Sequence, residues 1–117
     1  MVNKRKHKRV PISGTATLEF KDKGETQSIQ TMAGSISLGG IGLYADDSIE
    51  DDTNVSITID FISVDGIKTD SIEGCVKYSR KIGNIYFMGI QFGEEVNPKN
   101  QPLLCEHIQK SLTWDNG

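Results

Sequence analysis

No run in this 117-residue sequence approaches the roughly 18 consecutive apolar residues that a membrane-spanning helix requires. The charged opening, Met1 to Arg9, is not followed by an apolar region, so a secretory signal is not expected and the cytoplasm is the expected compartment. Cysteine is scarce: Cys75 and Cys105 each sit in an apolar pattern where a small hydrophobe would serve, and a reducing cytosol leaves them as thiols. No Cys and His fall at metal-ligand spacing, so no metal is expected. Histidine is scarcer in useful places. His7 lies among basic residues, and His107 lies near the C-terminus beside Leu104 and Ile108, as a rim residue of a helix would. Neither has a nucleophile and an acid beside it in a known catalytic arrangement, so the sequence is read as a non-enzyme. No Gly-Lys-Ser/Thr follows the glycine-rich stretch, which excludes a Walker phosphate loop. Aromatics make up only 7% of the chain, and Phe20, Phe61 and Phe92 fall on the apolar phase of alternating segments. A single-stranded nucleic-acid binder on an OB-like or cold-shock-like fold needs exposed rings along a basic groove. The low aromatic content argues against that reading, and so does the acidic body, which repels a long phosphate backbone.

What is present is alternation. Ala16, Leu18 and Phe20 alternate with Thr17 and Glu19, and Val55, Ile57, Ile59 and Phe61 with Ser56, Thr58 and Asp60. Ile72, Gly74, Val76 and Tyr78 form a third set, and Tyr86, Met88, Ile90 and Phe92 a fourth. A period of two places one face in a core and the other in water, as in antiparallel strands. Turn signals separate these runs: Lys23-Gly24, Gly39-Gly40, Asp65-Gly66 and Gly83-Asn84. Asp65-Gly66 is expected to be a two-residue hairpin turn with positive φ at both central positions. Frequent, evenly spaced strands predict a sandwich or a small barrel. Leu104, Ile108 and Leu112 then recur every four residues, as one stripe of a helix. Asn97 to Pro102 carries cap-type residues and two prolines, so the helix is expected to start at about residue 98. Length and composition, 36% hydrophobic and 25% charged, suit one globular domain over 10–117, with 1–9 as a basic arm.

Three constellations carry the chemistry. Lys4, Arg5, Lys6, Lys8 and Arg9 crowd the arm, and no acid precedes Glu19, although the net charge is −3. Positive charge concentrated in one short arm points to a small, local anion. An arginine holds phosphate oxygens with two bonds, pairs with guanine O6 and N7, or stacks on a base. A solubilising tail has the same composition. Gly34 to Gly42 (Gly-Ser-Ile-Ser-Leu-Gly-Gly-Ile-Gly) supplies backbone freedom and short hydroxyls that suit a base edge or a phosphate, and equally suits a tight strand connection. Asp46, Asp47, Glu50, Asp51 and Asp52 lack the spacing and glycine of a calcium loop and read as a solvated loop.

Arg5-Lys6-His7-Lys8-Arg9 followed by Val10-Pro11, then Ser35-Ile36-Ser37-Leu38-Gly39-Gly40, then Tyr86 to Phe92, resembles the PilZ domain family over about Arg5 to Trp114. The family signature is Arg-x-x-x-Arg followed by Asp/Asn-x-Ser-x-x-Gly. The resemblance implies an all-β fold, a six-stranded antiparallel β-barrel with a C-terminal α-helix, and cyclic di-GMP as ligand, with no cofactor. It implies that Arg5 and Arg9 contact phosphate and guanine while Ser37 and Gly40 line the base site, with Ser35 and Gly39 in the same motif. Members bind one ligand molecule or a stacked pair and act through changed shape and partner contacts. A free arm, repelled by its own charges and burying little, is expected to be flexible and to clamp on the ligand. A stand-alone adaptor for a downstream protein is the expected role, as monomer or dimer. Ser35 departs from the pattern: a neutral hydroxyl stands where a carboxylate would accept the guanine N1–H and N2–H. Losing a charged hydrogen bond costs roughly 1.5–3 kcal/mol, or about ten- to a hundred-fold in affinity. The alternative is therefore a ligand-independent interaction module on the same scaffold.

Overall fold

The computed structural model describes residues 7–116, with side chains to residue 113. The elements are β1 (Val10–Asp22), β2 (Glu25–Ile36), β3 (Gly40–Ala45), β4 (Asn54–Ser63), β5 (Gly66–Ile82), β6 (Ile85–Phe92) and α1 (Pro102–Asn116). The expectation of six antiparallel strands followed by one helix holds. The hydrogen-bonded order is β1-β2-β3-β6-β5-β4, and it closes on itself because β1 also pairs with β4. Closure leaves no exposed strand edge along the paired stretch.

The alternating runs behave as their period requires. In β4, Val55, Ile57, Ile59 and Phe61 are buried, while Ser56, Thr58 and Asp60 are not. Ala16 and Leu18 of β1, Ile72 and Val76 of β5, and Met88, Ile90 and Phe92 of β6 fill the same interior. Two strands lack this signature. The first half of β2 is exposed on both faces and is held as the outer part of a long hairpin, with Leu18 opposite Ile29 and Asp22 opposite Glu25. Further along β2, Thr31 turns inward, and its buried hydroxyl donates to the Ala16 carbonyl at 2.8 Å. β3 is buried almost throughout; only Tyr44 is exposed.

The turns bear out part of the reading. Lys23 and Gly24 both adopt positive φ, 53° and 84°, as a type I′ hairpin turn requires. The β4–β5 turn is a correction: its central residues are Val64 and Asp65, with Ser63 paired to Gly66. Of the expected pair only Gly66 has positive φ, at 122°. The Ser63 hydroxyl fixes this register by accepting the Asp65 N–H and donating to the Gly66 carbonyl.

The helix is a second correction, since it begins at Pro102 rather than at about 98. The Asn97 side chain accepts the N–H groups of Lys99 and Asn100, and that local turn competes with helix over 98–100. Pro102 then opens the helix, where its missing N–H costs nothing. The N–H groups of Leu103 and Leu104 are capped across space by one oxygen of Asp70 on β5, each at 2.9 Å. Leu104, Cys105 and Ile108 sink into the core against β1 and β5. His107 sits at the rim, its Nε2 donating to the Pro11 carbonyl at 3.0 Å and its ring edge-on to Phe61. Cys75 and Cys105 are free thiols. Among the described residues, no helix is long and apolar enough to cross a membrane.

Replacing Asp70 with Ala removes the cap from both helix N–H groups. We expect a loss of about 1–2 kcal/mol in stability, read as a lower urea midpoint at unchanged m-value.

Candidate ligand-binding site

The connection between β2 and β3 is a tight turn tied on both sides. Ser37 N–H donates to the Gly40 carbonyl at 2.9 Å, and the Ser37 hydroxyl accepts the Gly39 N–H at 3.2 Å. The Leu38 and Gly39 carbonyls accept the N–H groups of Val96 and Phe92, which fastens the turn to the chain at the end of β6. Gly40 has no room for a side chain: a Cβ there would lie 2.5 Å from the Ile90 carbonyl oxygen. At Gly39 the neighbour is different, because a Cβ would meet the ring of His7 at 3.2 Å. The glycines thus serve strand packing at one position and close approach of the arm at the other.

The C-terminal end of the arm lies against this turn. Arg9, half-buried just before β1, donates from its guanidinium to the Ser35 hydroxyl at 3.1 Å. Ser35 is placed by register, opposite Pro11 on one side and Gly42 on the other. His7 donates from Nε2 to the Glu95 carboxylate at 2.7 Å, across the sequence from the arm to the loop after β6. These contacts border an open cleft of about 390 Å³. Its walls are His7 and Arg9, the turn residues Ser37, Gly39 and Gly40, Lys77 and Tyr78 of β5, the end of β6, and Glu95.

The structure therefore brings Arg9, Ser37, Gly39 and Gly40 together around one cleft. Ser35 stands behind it and reaches it through Arg9. Arg5 lies outside the described residues, as does most of the arm assigned to 1–9. The acidic residues from Asp46 to Asp52 are exposed between β3 and β4, and no cluster fit to hold a metal exists among the described residues.

Lys77, Tyr78, Gln91 and Glu95 were missed by the sequence. Tyr78 was expected on the core phase of β5; this is a correction, for it is 41% exposed. The register shifts between Val76 and Tyr78, and the extra residue turns the ring outward. There it lies over Gly89, whose absent Cβ would stand 2.2 Å from the ring. Phe87 lies over Gly42 and Tyr44 over Gly34 in the same way. The rings form a row, with centroids 5.0 Å apart for Tyr44 and Phe87 and 6.0 Å for Phe87 and Tyr78. Gly34 and Gly42, which read as part of a turn or ligand stretch, are thus also seats for outward aromatic rings, as is Gly89 within β6. The paired spacing of glycine and aromatic across strands is the available signal, and it is visible only once register is known.

Fold and cleft together define a small antiparallel β-domain with a ligand-sized opening bordered by a basic arm and a Ser/Gly turn. The chain belongs to the PilZ domain family, whose model matches residues 3–112. Among solved structures it is similar to the Bacillus subtilis inhibitor of motility MotI/DgrA, with TM-score 0.72 and 19% identity over 96% of this chain and 53% of that one. It is also similar to the PilZ domain of Escherichia coli YcgR with c-di-GMP, with TM-score 0.63 and 15% identity over 97% and 95%. The K. pneumonia MrkH–c-di-GMP complex gives TM-score 0.65 and 18% identity over 99% and 55%. This chain thus spans about half the length of the MotI and MrkH chains and nearly all of the YcgR domain. At these identities the likeness establishes the fold. No curated protein matches the chain.

Gly89→Ala tests the seating of Tyr78. The new methyl meets the far end of a movable side chain, so we expect the fold to persist while the ring leaves the cleft wall. Altered Tyr78 ring resonances with a native-like amide spectrum are the expected readout.

Proposed function

We propose that this chain is a non-enzymatic receptor for cyclic di-GMP that converts ligand binding into altered contacts with a partner protein. The observation that carries the reading is the meeting of Arg9 with Ser37, Gly39 and Gly40 around one open cleft, although 28 residues separate Arg9 from Ser37 in sequence. The cleft volume of about 390 Å³ falls in the range of small-molecule sites, roughly 300–1,000 Å³. Arg9 and Lys77 supply fixed positive charge to a ligand with two phosphodiesters. A guanidinium binds such oxygens through charge-assisted bonds, which are about twice as strong as neutral ones. The Ser37 hydroxyl accepts the Gly39 N–H and keeps its own proton to donate. Membership of the family and the c-di-GMP named with YcgR and MrkH support this choice of ligand. Ligand phosphates exchange for the internal contacts of Arg9 and His7, and that exchange reshapes the surface beside the cleft that a partner would meet.

A second reading has its own observation. The Ser35 hydroxyl is neutral and is used by Arg9 itself, which suits a scaffold that holds its arm without ligand. Calorimetric titration of cyclic di-GMP separates the two. Under the receptor reading the chain binds saturably, and Arg9→Ala weakens binding by at least about ten-fold, the effect of one lost charge-assisted contact. Absence of heat at high micromolar ligand favours the scaffold. Ser35→Asp sets a carboxylate against the Arg9 guanidinium and tests position 35 itself: tighter binding means that the new carboxylate also accepts guanine N–H groups, and unchanged affinity rules out position 35 as a ligand contact.

A further inference from the structure

Glu95 is the sole acid among the described residues lining the cleft, where it shares the walls with His7, Arg9 and Lys77. It comes from the loop after β6, which the turn residues hold in place: Phe92 N–H and Val96 N–H, on either side of Glu95, donate to the Gly39 and Leu38 carbonyls. The carboxylate is therefore presented from a fixed backbone, not from a free tail. Its oxygen stands 2.7 Å from His7 Nε2, with the His7 side chain only 21% exposed and the Glu95 side chain 48% exposed. The contact joins positions 88 residues apart and is the point where the arm is fastened to the far wall. Gly39 makes it possible, since a side chain there would press on the His7 ring. An anion is thus already seated at the basic border of a cleft read above as an anion site.

We propose that Glu95 is a built-in competitor: in the unliganded protein it pins the arm through His7 and occupies the electrostatic place that a ligand phosphate takes over. The inference rests on the receptor reading for its ligand but not for its geometry. Binding then proceeds by exchange. The ligand phosphate replaces the Glu95 carboxylate as the arm's partner, and the like charges repel until the carboxylate turns to solvent. Glu95 sets both the affinity of the cleft and the resting position of the arm. It is a positioning residue, acting on ligand through His7 and charge.

Glu95→Gln keeps the shape and removes the charge, and two measurements read the result. The first uses no ligand. Trypsin cleavage after Lys8 or Arg9, followed by mass spectrometry of the fragments beginning at Arg9 and Val10, is expected to be faster in Glu95→Gln than in the wild type and faster again in Glu95→Ala, because the first weakens and the second removes the acceptor that holds His7. Equal rates would overturn the pin. The second is titration with cyclic di-GMP. Loss of a partly exposed ionic competitor is expected to tighten binding by roughly two- to five-fold. Unchanged or weaker binding overturns competition, and weaker binding would mean that the carboxylate accepts hydrogen bonds from the ligand. A wild type and variant that both fail to bind would refute the receptor reading, while the trypsin comparison still decides whether Glu95 holds the arm.

Discussion

β1 hydrogen-bonds along both of its edges, to β2 over most of its length and to β4 between Gly14 and Glu19. This double pairing is the constraint on which the molecule depends. It needs Gly14, where a Cβ would stand 2.0 Å from the Asp60 carbonyl oxygen on the neighbouring strand. It also needs an interior that tolerates six converging strands, which Ala16 and Leu18 supply on β1 and the isoleucines of β4 supply opposite. Because β1 is fixed on both sides, the residues just before it are fixed in direction. Arg9 is delivered to Ser35, and His7 to Glu95, by the same register that closes the sheet.

The cleft is built on the far side of that closure, where β3, β5 and β6 meet the arm. Its floor is backbone-rich, since Gly39, Gly40, Gly89 and Gly93 line it without side chains. Three of its side chains are already engaged: Ser37 with its own turn, Arg9 with Ser35, His7 with Glu95. Any new contact to one of these three is an exchange for an internal one. Exchange of this kind yields modest net energies.

The outward aromatic row adds a second design rule. Tyr44, Phe87 and Tyr78 would be exposed rings on a bare sheet, but each covers a glycine on the next strand. The glycine gains a side chain's worth of cover, and the ring gains a seat that holds it near the cleft. The bulge that exposes Tyr78 is what links this row to the site.

The sequence by itself determined the strands with clean alternation, the apolar stripe of the helix, and the basic arm and the Ser/Gly turn as two separate motifs. These were legible because period and motif are local properties of the chain. β2 was not legible, because its outer half is polar on both faces and is a strand only through pairing with β1. β3 was hidden because near-total burial erases alternation. The helix start moved to Pro102 because the capping carboxylate, Asp70, lies on a distant strand. Only the tertiary structure decided that Lys77, Tyr78 and Glu95 face the same cleft as Arg9, for their meeting depends on register shifts and ring closure that act between strands far apart in sequence.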